Sequence, residues 1–463
     1  MRAILILLLV GGLLWLVLYG FRSVHAGASS AEPAGGLLLT SEATPAPAAP
    51  AAPANEPAKE PAKEPAKENV RPQATSTPAP APTSSPAPVQ AKPVVPPAPA
   101  VEPASAKPAQ SSAAPADEVA VASVLLHRTQ DLQSYLDGPG KALPAGRRDL
   151  ALALQRLVVG SVDEARRMAE GLESRDGVRV SEATFLKQAL ASGPKTMEAA
   201  QRGDSPLVLA AGLACIARDA KTALSAGKNR EAALGYGELL QGEVLAPWSA
   251  DRDSLVAWSD ALAHAQAGYR WSPDGGWASS EVKVEAGDSL ISVRKRVLKD
   301  HPEWLLCTGQ IARSNGLRSE TIHPGQTLRV PTSRANVLVD LDAHWALYRL
   351  GNEVVAAWEI GVGKPGTETP PGEYVVGEKT KDPPWFRPGH PPVPFGDPEN
   401  PLGTRWIAWQ KADGTNTGLG FHGTKDPASI GEDQSQGCVR MRQPAIEELF
   451  EILPKGAKIT VQP

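Results

Sequence analysis

The chain has 463 residues, more than one domain normally uses, which suggests two or three folded units. Lys and Arg number 47 against 51 Asp and Glu, a formal net charge of −4. There is no long Lys/Arg run, so the basic footprint that phosphate binding needs is absent and nucleic acid is excluded as an expected partner. The three cysteines, Cys215, Cys307 and Cys438, are an odd number, so at least one thiol stays free. No CxxC or HExxH occurs, and no metal or cofactor is expected.

Residues 1–26 carry no charge between Arg2 and Arg22 and are nearly all apolar there. Such a run is long enough to span a bilayer, which favours a signal anchor in the inner membrane with Arg2 facing the cytoplasm. Val24-His25-Ala26 also resembles a small-x-small cleavage site, so a cleaved signal peptide is the competing reading. Either way the rest of the chain is expected outside the cytoplasm, in the cell envelope. Residues 27–116 are Ala/Pro-rich, with an EPAKEPAKEPAKE repeat at Glu56–Glu68. They offer almost nothing to bury and are expected to form a disordered spacer.

Residues 117–271 change character. Ala165, Met168, Ala169 and Leu172 fall on one helical face, and Ser161 with Glu164 forms a capping-box pattern before it. Glu-Ala pairs recur at Glu164, Glu198 and Glu231, close to the tetratricopeptide period. The pattern predicts an all-α domain, tetratricopeptide-like or a plain helical scaffold, with room for a protein partner. Cys215 reads as a core residue there.

Residues 280–332 read as strand, two amphipathic helices, strand. The stretch opens on Gly287-Asp288-Ser289-Leu290, passes Asn315 and closes on Ile322-His323-Pro324-Gly325-Gln326-Thr327-Leu328. It resembles the LysM module, a small βααβ fold. The resemblance implies binding to N-acetylglucosamine-containing glycan strands such as peptidoglycan.

Residues 335–463 turn to strands: Asn336–Leu341, Trp345–Leu350, Glu353–Ile360, Glu373–Val376 and Lys458–Val461, with a short helix at Pro444–Ile452. This is mainly β, a small sandwich or barrel. Within it lies FHGTKDPASIGEDQSQGCVRM, Phe421–Met441. A cysteine attacks as thiolate, and an imidazole can take its proton, so His422 and Cys438 are a candidate base and nucleophile. Ser435-Gln436-Gly437 is a tight approach to Cys438 that leaves backbone N–H groups accessible to a substrate oxyanion. Gly423 leaves its carbonyl free to orient His422, and Arg440 offers a fork for a substrate carboxylate. The sequence spacing does not by itself bring His422 to Cys438, and a packed cysteine beside an unrelated loop histidine is the alternative.

The motifs Thr369-Pro370-x-Gly372, Asn400-Pro401-Leu402-Gly403, Phe421-His422-Gly423-Thr424 and Ser435-x-Gly437-Cys438-Val439-Arg440-Met441 resemble the catalytic domain of the YkuD-type L,D-transpeptidases. The resemblance implies Cys438 as nucleophile, His422 as base and Gly423 as the orienting carbonyl. Arg440, Ser435, Gln436 and Gly437 would line the substrate. It implies a peptidoglycan stem peptide as substrate and a 3→3 cross-link as product. Related outcomes of the same acyl-enzyme are L,D-carboxypeptidase activity and attachment or release of a protein at the wall. A non-catalytic wall-binding scaffold is the reading from another class. Gln436 stands where the family usually has His; it can hydrogen-bond but cannot titrate.

Overall fold

The computed structural model describes residues 116–192, 205–244, 246, 251–387 and 389–463. The expected anchor or signal segment at 1–26 and the expected spacer lie outside them, except that Ala116 opens the first helix. Among the described residues no helix is long and apolar enough to cross a membrane.

Among the described residues, eight α-helices build the first region: α1 (Ala116–His127), α2 (Leu132–Asp137), α3 (Ala145–Val158), α4 (Val162–Ala169), α5 (Val180–Ser192), α6 (Pro206–Ser225), α7 (Asn229–Val244) and α8 (Arg252–Gly268). Apolar stripes on α1, α3, α6 and α7 meet in one core that buries Leu125, Leu150, Leu154, Leu213 and Leu239 completely. Cys215 lies in this core, and burial pushes its thiol up to about 11. Arg147 on α3 is buried between Glu118 of α1 and Glu182 of α5. A buried cation needs such partners, since an unpaired one would be costly.

Three local expectations differ from the fold. Ser161 does precede α4, but its hydroxyl makes no cap bond, because its backbone (φ −80°, ψ 61°) is not extended enough to aim the oxygen at the helix. Glu164 instead pairs with Arg156 at 3.1 Å. Gly171, at φ +68°, ends the turn after α4, so Leu172 is buried from a 3₁₀ turn rather than the helix. The tetratricopeptide-like period does not mark equal units. Glu164 lies in the first turn of an eight-residue helix, Glu231 in that of a sixteen-residue one, and Glu198 lies outside the described residues.

The second region is β1 (Ser279–Lys283), α9 (Leu290–Asp300), α10 (Thr308–Ser314) and β2 (Thr327–Pro331), with the strands antiparallel. Gly287 turns the chain at φ +85°, and Ser289 then caps α9 reciprocally with Ser292. Asn315 ties the end of α10 to β2, accepting from Arg329 N–H and donating to the Arg329 and Ile311 carbonyls, all at 2.8 Å. The module is seated on the last domain. Gln310, fully buried, donates to the Tyr348 hydroxyl at 2.9 Å, which donates to the Ile452 carbonyl at 3.0 Å. The Cys307 thiol donates to the Glu451 carbonyl at 3.0 Å.

The last domain contains β3 (Ala335–Asp340), β4 (Trp345–Leu350), β5 (Glu353–Gly363), β6 (Gly372–Lys381), β7 (Arg405–Gln410), β8 (Asn416–Gly423), β9 (Asp433–Ser435), β10 (Val439–Met441), α11 (Gln443–Ile452) and β11 (Lys458–Gln462). The nine strands run β10-β8-β7-β6-β11-β3-β4-β5-β9, and β10 also pairs with β5. That second pairing closes the sheet into a barrel-like form. The core buries Trp409, Tyr348, Phe421, Met441 and the inner face of α11.

The helical region is fused to this domain rather than strung before it. Leu338, Trp345, Leu347, Val354 and Ala357 of β3–β5 belong to the same apolar core as the helices. Gly237 of α7 passes so close to β5 that a Cβ would stand 2.8 Å from the Val354 carbonyl. Burying a large apolar side chain is worth ~1.5–3 kcal/mol. A chain shortened to begin at Ser279 therefore exposes this face, and its melting temperature should fall by on the order of 10 °C or it should self-associate. Thermal unfolding and size-exclusion chromatography of the shortened and full chains check this.

Candidate active site

The strand register brings the two candidate residues together. β10 lies parallel to β8, with Arg440 opposite His422 and Val439 opposite Phe421. Continued by one residue, that register sets Cys438 beside Gly420. Alternate residues share a face, so Cys438 and Arg440 point to the same side as Gly420 and His422. His422 and Cys438 are thus diagonal neighbours on adjacent strands.

His422 is buried, and its Nδ1 lies 2.6 Å from its neighbour's carbonyl, Gly423 O. A carbonyl only accepts, so Nδ1 carries the proton and Nε2 keeps its lone pair. Burial disfavours the imidazolium; the Gly423 bond opposes this and nearby Arg440 reinforces it, leaving the ring at about 4. His422 is therefore a neutral base at pH 7. The half-buried Cys438 thiol is raised by burial, against the Gly420 N–H and Arg440, which both favour thiolate. Its sulfur lies 3.9 Å from the Gly418 carbonyl. The resting pair is thiol and neutral imidazole rather than a preformed ion pair.

The turn before Cys438 is tightly specified. The Ser435 hydroxyl donates to the Cys438 carbonyl at 2.5 Å and accepts from Gly437 N–H at 3.1 Å. Thr367 Oγ1 and Lys364 N–H both donate to the Ser435 carbonyl, at 3.2 and 3.0 Å. Gly437 sits at φ +98°, where a side chain would be strained and would meet Leu419 at 3.2 Å. The Ser435 hydroxyl thus engages the Gly437 N–H that directly precedes Cys438. Gln436 is exposed on this turn, and Arg440 is half-buried with no ion pair among the described residues.

Several neighbours carry no signature in the sequence pattern. Trp406, opposite His422 on β7, stacks on its ring at 6.0 Å between centroids. Its indole also lies over Gly420, where a Cβ would stand 2.8 Å away. Gln443, the first residue of α11, fills the space left by two motif glycines, Gly403 and Gly423. Asn400, which unlike these two was marked in the sequence as the start of a motif, is buried and donates to the carbonyls of Pro383, Val393 and Pro394. Only the alternation in Arg405–Gln410 would have pointed to Trp406.

Residues 334–461 match the family model of the L,D-transpeptidase catalytic domain, YkuD, and residues 282–331 match that of the LysM domain. The LysM module thus follows the helical region and directly precedes the catalytic domain. YqjB of Bacillus subtilis, named as an L,D-transpeptidase, is 32% identical over 139 residues, covering 30% of this chain and 72% of its own. YkuD of the same bacterium, also named as an L,D-transpeptidase, is 27% identical over 185 residues, covering 39% of this chain and 96% of its own. Among solved structures, the catalytic domain of an E. faecium L,D-transpeptidase acylated by ertapenem is 26% identical, with a TM-score of 0.24, covering 28% of this chain and 98% of that one. Fold and motifs define a barrel-like catalytic domain joined to a LysM module. The chain belongs to the YkuD family of L,D-transpeptidases.

Proposed function

We propose that the protein is a peptidoglycan L,D-transpeptidase that works through a Cys438 acyl-enzyme. The observation that carries this is the pairing of a neutral, oriented His422 with Cys438 on one face of β8 and β10. His422 Nε2 takes the thiol proton as sulfur attacks the amide carbonyl between the third stem residue and the terminal D-Ala. The C–S bond forms, the tetrahedral oxyanion accepts from Cys438 N–H, and the C–N bond breaks. His422 returns the proton to the departing D-Ala amine. The side-chain amine of a second stem then attacks the thioester, losing its proton to His422, which hands it to the leaving thiolate. The product is a 3→3 cross-link, and no metal or cofactor takes part.

Arg440, unpaired by any carboxylate among the described residues, binds the terminal carboxylate of the donor stem. Ser435 and Gly437 shape the nucleophile turn. Gln436, exposed at its tip, faces substrate without titrating. The LysM module binds glycan strands, and the helical region offers a surface for a protein partner. The location that fits this work is the cell envelope outside the cytoplasm, with the apolar segment at 1–26 as the inner-membrane anchor.

The test incubates the full chain with disaccharide-tetrapeptide and reads products by mass spectrometry. Dimers that have lost one D-Ala are expected. Tripeptide monomers without dimers would mean hydrolysis, and no product at all would favour a wall-binding scaffold. Exchanging Gln436 for His is the companion variant that measures what the glutamine does to the rate.

A further inference from the structure

Glu359 of β5 is a buried carboxylate that the proposed chemistry does not use. Its side chain is 7% exposed and is held by two arginines from distant parts of the chain. Arg442, directly after β10, reaches it at 2.8 Å. Arg252 comes from the helical region, 107 residues away in sequence, and grips both carboxylate oxygens at 2.5 and 3.1 Å. Arg252 is itself fixed, as the first residue of α8, by the Asp251 cap, whose carboxylate accepts from Ser254 N–H at 3.2 Å.

What lies on Glu359 gives this clamp its meaning. Glu359 and Gly361 share one face of β5, and the segment entering the nucleophile turn crosses that face. A Cβ at Gly361 would stand 2.3 Å from the Ser429 carbonyl, and one at Gly431 would stand 2.8 Å from Glu359 Oε1. Gly431 N–H donates to the Ile360 carbonyl at 2.9 Å. The chain then pairs with β5 as β9, through Val362–Asp433 and Gly363–Ser435, and three residues after Ser435 reaches Cys438. After the turn, β10 returns to β5, with Arg440 opposite Gly361. The Glu359 end of β5 is therefore the seat on which both arms of the Cys438 turn rest.

We propose that Arg252 is a positioning residue for that turn: from the helical region it holds Glu359 against Gly431, so that the segment from Ser429 to Ser435 keeps one register on β5. Without Arg252 the carboxylate keeps, among the described residues, Arg442 alone, and a buried carboxylate short of a partner relaxes toward water. The seat under Gly431 moves with it. The catalytic consequence rests on Cys438 being the nucleophile, as proposed above; the structural consequence does not.

The test compares the full-length chain with Arg252→Gln and Arg252→Lys. Hydrogen exchange of residues 429–438 should quicken about tenfold in Arg252→Gln, because the segment opens locally. Acylation by disaccharide-tetrapeptide should slow about tenfold, with KM within about twofold, since positioning acts on the reacting geometry rather than on substrate affinity. Arg252→Lys, which keeps a cation on Glu359, should recover most of both effects. The Arg252 side chain is 57% exposed, so the overall melting temperature should change little. Wild-type exchange in Arg252→Gln overturns the proposal. So does slowed acylation that lysine fails to rescue. If the wild type itself shows no acylation, the Cys438 reading fails while the exchange data still decide the role of Arg252.

Discussion

Cys438→Ala should leave the chain folded and abolish covalent capture of the donor stem, together with D-Ala release and cross-linking. The expectation follows from where the thiol sits. It is half-buried at the end of a turn whose backbone is fixed by Ser435 and Thr367, not by the sulfur. Removing sulfur should therefore take away the proposed nucleophile without loosening the turn. No other cysteine can substitute. Cys215 is fully buried in the helical core, and the Cys307 thiol is occupied by the Glu451 carbonyl at the LysM junction. Intact-mass analysis of wild type and variant after incubation with donor, beside their thermal unfolding curves, checks the result. An adduct that persists in the variant would refute the assignment.

His422→Gln should be nearly as damaging, slowing acylation by about 10²–10⁴-fold, the usual worth of a positioned general base. Glutamine can keep a hydrogen bond but cannot accept and return a proton. The pH dependence distinguishes this from a packing effect. Burial holds the histidine at about 4, so the base is already neutral well below pH 6. As pH falls through that value the imidazole protonates and activity is lost; as pH rises above it the base is fully present. The wild-type acylation rate should thus show its acid limb near pH 4 and none near the ordinary histidine value of 6.5. The glutamine variant should lose that limb. Stopped-time acylation across pH 3–8, with unfolding followed in parallel, reads both; an inflection near 6.5 in the wild type would mean that the ring is not buried as described.

Much of this site was legible in the sequence because its residues sit in two short runs, Phe421–Thr424 and Ser435–Met441, whose types state their chemistry. Local pattern also marked β4 and the LysM elements, where alternation and turn glycines coincide with the strand ends. It did not mark β7 to β10. β8 contains three glycines, Gly418, Gly420 and Gly423, which carry no strand propensity; the ladder to β7 and β10 imposes the extended form. The closure of the sheet through β5 and β10 likewise depends on pairing across some eighty residues of chain, which no local period reports. The fusion of the helices with β3–β5 was hidden for a further reason. Both faces of those strands are buried, so their near-continuous apolar runs read as ordinary core strands and do not say what covers each side. Arg252 and Glu359 are single charged residues in unrelated segments, and only the folded chain joins them.

The most direct measurement takes the full-length chain, mixes it with disaccharide-tetrapeptide, quenches in acid within the first turnover and maps the digested protein by mass. A thioester of the donor, shortened by D-Ala, is expected on the peptide that contains Cys438. Cross-linked product formed with no such adduct at any time, or an adduct carried by another residue, would contradict it.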